Sequence, residues 1–261
     1  GKLFIMKLYL GALISFLCAC FQFIEKSNEI SPKNSYPLQK QMNEISGLCW
    51  DNTGLYAIQD EKGVIYQWQD AKKEFSELIQ FKSKGDFEGI AKVKQIFYAL
   101  RSDGRIYQID KEGEEMHFNF PMEDKDLEFE GLSYDEQTNQ LLVACKHHKN
   151  KEKDQFLWIY AFNLKQNSFL TEPFLKVEKK LFSNDFNASG IGVNSKNQIV
   201  LCSAKKAALL VLSRIGEVVK YQTLDASEYS QIEGICFTAD DRFYLASEKN
   251  TKEAAYLYEF N

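Results

Sequence analysis

From Ser35 to the C-terminus the chain is written in short, strand-length phrases. Apolar residues run together or alternate with polar ones, and each run is cut off by a polar cluster. One stretch reads Gly89–Val93, Gln95–Leu100, Arg105–Asp110 and Glu115–Phe120. The breaks carry the residues that tolerate tight turns, as in Asp51-Asn52-Thr53-Gly54, Ser102-Asp103-Gly104, Asp135–Asn139, Asn194–Asn197 and Ala239-Asp240-Asp241. Four such runs in succession predict a four-stranded antiparallel meander.

The meander repeats. A polar or acidic residue, then Gly, then Ile or Leu recurs as Ser46-Gly47-Leu48, Glu88-Gly89-Ile90, Glu130-Gly131-Leu132, Ser189-Gly190-Ile191 and Glu233-Gly234-Ile235. The glycines are 42, 42, 59 and 44 residues apart. A period of ~40–50 residues filled with strands is the signature of radially stacked blades. The fold predicted is all-β, a five-bladed propeller of four-stranded blades. Six blades is the alternative if the long third repeat hides a degenerate one; its surplus reads instead as the charged insertion Lys146–Asp154. The last repeat ends at Tyr256–Phe260, a third strand with no residues left for a fourth. The strand-like Ser35–Lys40, which has no blade of its own, should complete that blade and close the ring, removing open sheet edges.

The first residues are of another kind. Lys2 and Lys7 precede an almost wholly apolar run from Leu8 to Ala19, a length that suits a signal segment and is short for a bilayer-spanning helix. It ends in Leu17-Cys18-Ala19-Cys20, similar to the box that precedes a lipidated cysteine. The division expected is therefore a lipoprotein-type signal peptide at 1–19, a tether at 20–34 and one propeller domain at 35–261. Cys20 would carry the lipid and hold the protein to a membrane of the cell envelope, periplasmic or surface-exposed; a plain secretory signal or an anchor helix is the alternative.

Composition adds exclusions. A net charge of −5 with no basic stripe gives no reason to expect nucleic acid. Cys49, Cys145, Cys202 and Cys236 each sit in an apolar run without CxxC spacing, which predicts buried free thiols and no zinc site. His117, His147 and His148 are the only histidines, and the His147-His148 pair, inside the charged insertion, reads as solvated. No nucleophile elbow or Ser/His/Asp spacing is present. Trp50, Trp68, Tyr66, Tyr107, Trp158 and Tyr160 read as inter-blade packing.

Candidate chemistry gathers at one end of the inner strands. Their starts carry Glu44/Ser46, Asp86/Glu88, Glu128/Glu130, Asn187/Ser189 and Gln231/Glu233, and residues two apart on a strand point the same way. The next strands end in Gln59/Asp60, Arg101/Ser102, Lys146/His147, Ser203/Lys205 and Ser247/Glu248. Both sets should meet at one mouth of the central channel. Two arrangements fit. Glu88, Glu130 and Glu233, with Asp60 and Glu248 nearby, could share a hard cation, calcium above all, which takes six to eight oxygen ligands. Alternatively these glutamates pair with Arg101 and Lys146 and cap backbone amides as scaffold. A ligand or protein partner at the mouth, and a monomeric state, complete the expectation.

The stretch Glu44-Ile45-Ser46-Gly47-Leu48, continuing to Leu55–Ile58 and Gly63–Tyr66, resembles the opening blade of the SdiA-regulated family, and the later Glu-Gly-Ile/Leu phrases fit the same pattern. That resemblance implies a bacterial envelope protein, often a lipoprotein, with a β-propeller related to phytase-like and NHL propellers; it implies no established reaction. A phytase-like relative would be a metal-dependent hydrolase of phosphate esters, using calcium with basic residues such as Arg101, Lys146 and Lys205, and a carboxylate surplus would equally suit a lactonase-type site. Ser46 and Ser189 stand where the other three copies have glutamate, so a five-fold carboxylate ring is in doubt.

Overall fold

The structure, a computed structural model, describes residues 30–121 and 126–261. The 1–19 segment, Cys20 and most of the 20–34 segment lie outside the described residues. The chain opens with β1 (Asn34–Pro37) and then builds blade after blade. The first is β2 (Ile45–Asp51), β3 (Gly54–Gln59), β4 (Val64–Gln69) and β5 (Glu74–Gln80). The second is β6 (Phe87–Val93), β7 (Ile96–Arg101), β8 (Ile106–Ile109) and β9 (Glu115–Phe118). The third is β10 (Leu127–Asp135), β11 (Gln140–His148) and β12 (Phe156–Asn163), with its outer position shared by β13 (Ser168–Phe169) and β14 (Leu175–Glu178). The fourth is β15 (Gly190–Val193), β16 (Ile199–Ser203), β17 (Ala208–Leu212) and β18 (Val218–Thr223). The fifth is β19 (Ile232–Phe237), β20 (Phe243–Ser247) and β21 (Tyr256–Phe260), completed by β1.

Five blades and the N-terminal closure are therefore as the repeat predicts. β1 pairs antiparallel with β21, Asn34 opposite Glu259 through Pro37 opposite Tyr256. Lys33 already donates its N–H to the Glu259 carbonyl at 2.7 Å, so the sheet begins a residue or two before the expected boundary at 35. Pro37 is tolerated because β1 is an outer strand, where a missing N–H costs no ladder bond.

The long third repeat spends its surplus in two places rather than one. β11 overruns the turn as far as His148, taking up a third of the expected insertion. The rest lies beyond β12: β13 pairs with Phe162–Asn163, β14 with Phe156–Ile159, and a further stretch of chain follows before β15. Because β11 continues through it, His148 is buried at 3% exposure, where a solvated residue was expected; its Nδ1 accepts from the Asn150 N–H.

Apolar side chains on the two faces of each blade meet those of the next, giving one hydrophobic cluster per blade interface. Leu48 and Cys236 belong to the cluster between the fifth and first blades, Cys49 and Ile90 to the one between the first and second. All four cysteines in the described residues are buried free thiols. The axis is set by the repeated glycines. A Cβ on Gly89 would lie 2.8 Å from both Cβ and N of Leu132, and Gly131, at φ +103°, meets the backbone of Gly190 and Ile191. Only a residue without a side chain lets neighbouring inner strands come this close.

Candidate functional site

The residue before each glycine is placed by a backbone irregularity. Ile45 pairs with Gln59 and Gly47 with Ile58, leaving Ser46 as the extra residue of a bulge. Glu88 and Glu233 are extra residues in the same way, and the ladder also shifts at Glu130. A bulge turns its unpaired residue out of the sheet's alternation. Here it brings the three glutamates into one another's electrostatic reach at the start of the inner strands, as the repeat predicts.

The two serines at equivalent positions do something else. Ser46 Oγ donates to the Phe87 carbonyl of the next blade at 2.6 Å, and Ser189 Oγ donates to the Ile232 carbonyl at 2.5 Å. Serine knits adjacent blades at two of the five interfaces, so the carboxylates form a partial arc rather than a ring. Backbone bonds add to this: Phe87 N–H reaches the Asp60 carbonyl and Phe129 N–H the Ser102 carbonyl, both at 2.9 Å.

Glu130 is the most enclosed of the three, 4% exposed. Its Oε1 accepts from Lys146 Nζ, while Oε2 is buried and has no hydrogen-bond partner. Lys146 also lies 3.5 Å from Glu128. Burial raises the Glu130 carboxyl to about 7 and outweighs the pull of Lys146. Glu88 rises to about 10, through burial first and then the charges of Glu130, Asp86 and Glu233. Burial, then Glu130 and Glu248, raise Glu233 as well. One cation serves three enclosed carboxyls, and protons make up the difference.

Arg101 does not join them. Its guanidinium is held by its own turn, Nε to Asp103 Oδ1 at 2.9 Å and the second nitrogen to Oδ2 at 2.5 Å, with a third contact to Tyr107 Oη. The scaffold arrangement is thus realised for Lys146 and Glu130 and not for Arg101. Asp86 and Glu44 are exposed at the rim, and Glu128 and Glu248 are half-buried.

A second acidic group lies outward from the neck, where β3 ends. Glu44, Asp60 and Glu61 each offer a carboxylate oxygen within 4.8 Å of the others, and they are the one such triplet among the described residues. Glu88, Glu130 and Glu233 are not gathered that tightly. Asp60 Oδ1 is buried and has no hydrogen-bond partner. Burial, then the charges of Glu44, Glu61 and Glu248, lift Asp60 to about 7. The Glu248 carboxyl is raised in turn by burial and by Glu44. An acidic track therefore runs from Glu61 and Asp60 past Glu248 to Glu233 and the neck. Glu61 escapes a reading based on strand ends because it lies two positions beyond β3; its counterpart in the second blade, Asp103, is acidic too but is taken by Arg101, and the Asp60-Glu61 doublet was the available signal.

Trp50 packs against the cluster between the fifth and first blades, as expected, and has a second surface as well. Tyr66, Tyr107 and Tyr160 are buried, but Trp50 is only partly so and lines a cavity at the opposite mouth.

Among protein families, the model described as SdiA-regulated matches residues 32–253. No curated protein matches the sequence. Solved structures share the fold at low identity. Glutaminyl cyclase of Myxococcus xanthus is 13% identical with a TM-score of 0.58, covering 89% of this chain and 97% of its own. The PQQ-bound aldose sugar dehydrogenase of Streptomyces coelicolor is 10% identical with the same TM-score, covering 89% and 98%. The nidogen/laminin complex contains a chain 14% identical at a TM-score of 0.52, covering 78% and 72%. At such identities the likeness concerns the propeller alone.

Proposed function

The chain belongs to the SdiA-regulated family, and we propose that its propeller is a cation-binding module of the cell envelope, with calcium seated at the acidic mouth. The observation that carries this is the Glu44–Asp60–Glu61 triplet, whose oxygens converge within 4.8 Å around a buried Asp60 Oδ1 that lacks a partner. Hard cations take such oxygens and complete their shell with water. Glu248 and the neck glutamates supply the surrounding negative field. A protein or small ligand bearing its own oxygens would dock against the bound ion.

Hydrolysis of phosphate esters or lactones is the less favoured reading. It needs cations free to hold the substrate, and two of the three expected at the mouth are engaged, Arg101 with Asp103 and Lys146 with Glu130 and Glu128, which leaves the exposed Lys205.

Calcium should stabilise the protein by about 2.7 kcal/mol at a hundredfold excess over Kd. Asp60→Asn should erase that gain, while Glu130→Gln should keep most of it. Because Asp60 must shed its proton to bind, the gain should grow from pH 6 to pH 8. A calcium-insensitive thermal melt at pH 8 removes the reading.

For location, we infer that Cys20 carries a lipid that anchors the protein in the envelope. Among the described residues no helix is long and apolar enough to cross a membrane. Cys20→Ser should abolish labelling by radioactive fatty acid; a parent protein that never takes up label refutes the anchor.

A further inference from the structure

The other ends of the same inner strands, with the turns that follow them, wall a cavity of about 620 Å³ to which all five blades contribute. That is the size range of small-molecule sites, roughly 300–1,000 Å³. Its deeper lining is apolar, with Leu48, Ala91, Leu132 and Ile235. Trp50, Tyr134 and Phe237 stand on three of its walls, each partly exposed.

Its charges cancel. Lys92 Nζ donates to Asp51 Oδ2 at 2.5 Å and to Thr53 Oγ1 at 2.6 Å, so the enclosed cation and its carboxylate neutralise each other. Lys94 and Glu136 sit exposed on the rim with opposite sign. An anion or a cation would find no unbalanced partner inside.

The rim is also fixed. Asn194 Oδ1 accepts the N–H groups of Lys196 and Gln198, and Ser195 donates to Asp241 through both its N–H and its hydroxyl. Thr238 Oγ1 donates to Asp240 at 2.5 Å. Against these locked turns, the Trp50 indole N–H, the Ser133 hydroxyl and the Asn52 amide have no hydrogen-bond partner among the described residues. What remains for a ligand is neutral: aromatic surface, with donors and acceptors beside it.

We propose that this cavity binds a neutral saccharide unit. A sugar ring presents an apolar C–H face that lies against an aromatic side chain, and its hydroxyls both donate and accept, matching indole, hydroxyl and amide together. A rigid rim lowers the ordering cost of binding.

The test uses the full chain titrated with maltose, cellobiose and methyl mannoside, followed by calorimetry and by tryptophan fluorescence. Trp68 and Trp158 donate their indole N–H to Asp70 and to the Lys153 carbonyl, away from the cavity, so Trp50 is the reporting ring. At least one sugar should bind and alter the fluorescence. Asn52→Ala and Ser133→Ala should each weaken it about tenfold, as for one lost hydrogen bond, without shifting the melt. Trp50→Phe should abolish the optical change. Binding should survive Asp60→Asn, which separates it from the cation site. No heat with any of the three sugars, or binding that all three cavity variants leave intact, overturns the proposal. So does tight binding of adenosine in their place, which would make the cavity a site for flat heterocycles.

Discussion

The two mouths of this propeller are made by the two ends of the same five strands, yet they handle charge in opposite ways. Where the inner strands begin, bulges turn Glu88, Glu130 and Glu233 out of register and toward one another, with Lys146 as the one cation that acts on all three. Where they end, the ladder is regular, and Asp51 is matched by Lys92 from the adjacent blade. The first end holds unbalanced carboxyls that need a proton or a metal; the second is electrically settled and offers shape and aromatic surface. Local backbone geometry, more than composition, decides which end is reactive: one unpaired residue per strand converts an acid that would be solvated into one that is enclosed.

Both ends depend on the same axis, so breaking the axis should abolish the distinction altogether. Gly89→Ala places a methyl 2.8 Å from Leu132 backbone and side chain, and rigid backbone there cannot give way. We expect a loss of about 3 kcal/mol in urea unfolding, with calcium and ligand effects lost together. A variant as stable as the parent would mean the inner strands have slack.

Removing a cation should sharpen the contrast. Lys146→Ala leaves Glu130 enclosed without its partner. Because Lys146 is itself a third exposed and Glu130 can take up a proton, the cost should be about 2 kcal/mol at pH 8 rather than the full penalty of a stranded charge, and it should shrink below pH 6. Equal cost at pH 5 and pH 8 would show that Lys146 acts by packing.

The last effect is a slope against pH, absent in acid, and it is the most diagnostic. Glu88 has a folded value raised to about 10, well above its unfolded value. Its contribution is therefore fully present below about pH 4.3 and is lost as pH rises toward the folded value, with a slope of at most ~1.4 kcal/mol per pH unit. Glu88→Gln should flatten that slope, leaving stability at pH 4 unchanged and raising it progressively toward pH 8. Asp51 behaves inversely. Burial works against its charge, but Lys92 and Thr53 outweigh it and hold the carboxyl below its ordinary value. Its contribution is present above about pH 3.9 and lost only in acid, so the second mouth should be flat across neutral pH. Melting curves from pH 4 to 9 on Glu88→Gln and Asp51→Asn separate the two.

Much of this was legible from residues alone. The polar-Gly-aliphatic phrase fixed the five inner strands because close approach at an axis admits no other residue, and the missing fourth strand of the last repeat pointed to Ser35–Lys40. The acidic mouth was legible as a position, the starts of the inner strands; the bulges that turn Glu88 and Glu233 out of the alternation were not. What escaped depends on side-chain partners chosen in three dimensions. Arg101 prefers Asp103, two positions away in its own turn, to any glutamate at the mouth. Ser46 and Ser189 looked like gaps in a carboxylate ring and are inter-blade bonds. The cavity at the other mouth needed the positions of five turns at once, which no single repeat encodes.

The strand that closes the ring also sets a timetable. β1 leaves the ribosome early, but its partner β21 ends at Phe260, and the bond between Asn34 and Glu259 spans 225 positions of sequence. At ~5–20 residues per second, that separation is a wait of roughly 10–45 s during which β1 has no neighbour. Four blades can form in order as they emerge; the fifth cannot be finished until β21 has emerged. The fold should therefore close in a single late, cooperative step, and a chain truncated before β21 should hold a protease-sensitive Asn34–Pro37 strand on otherwise folded blades.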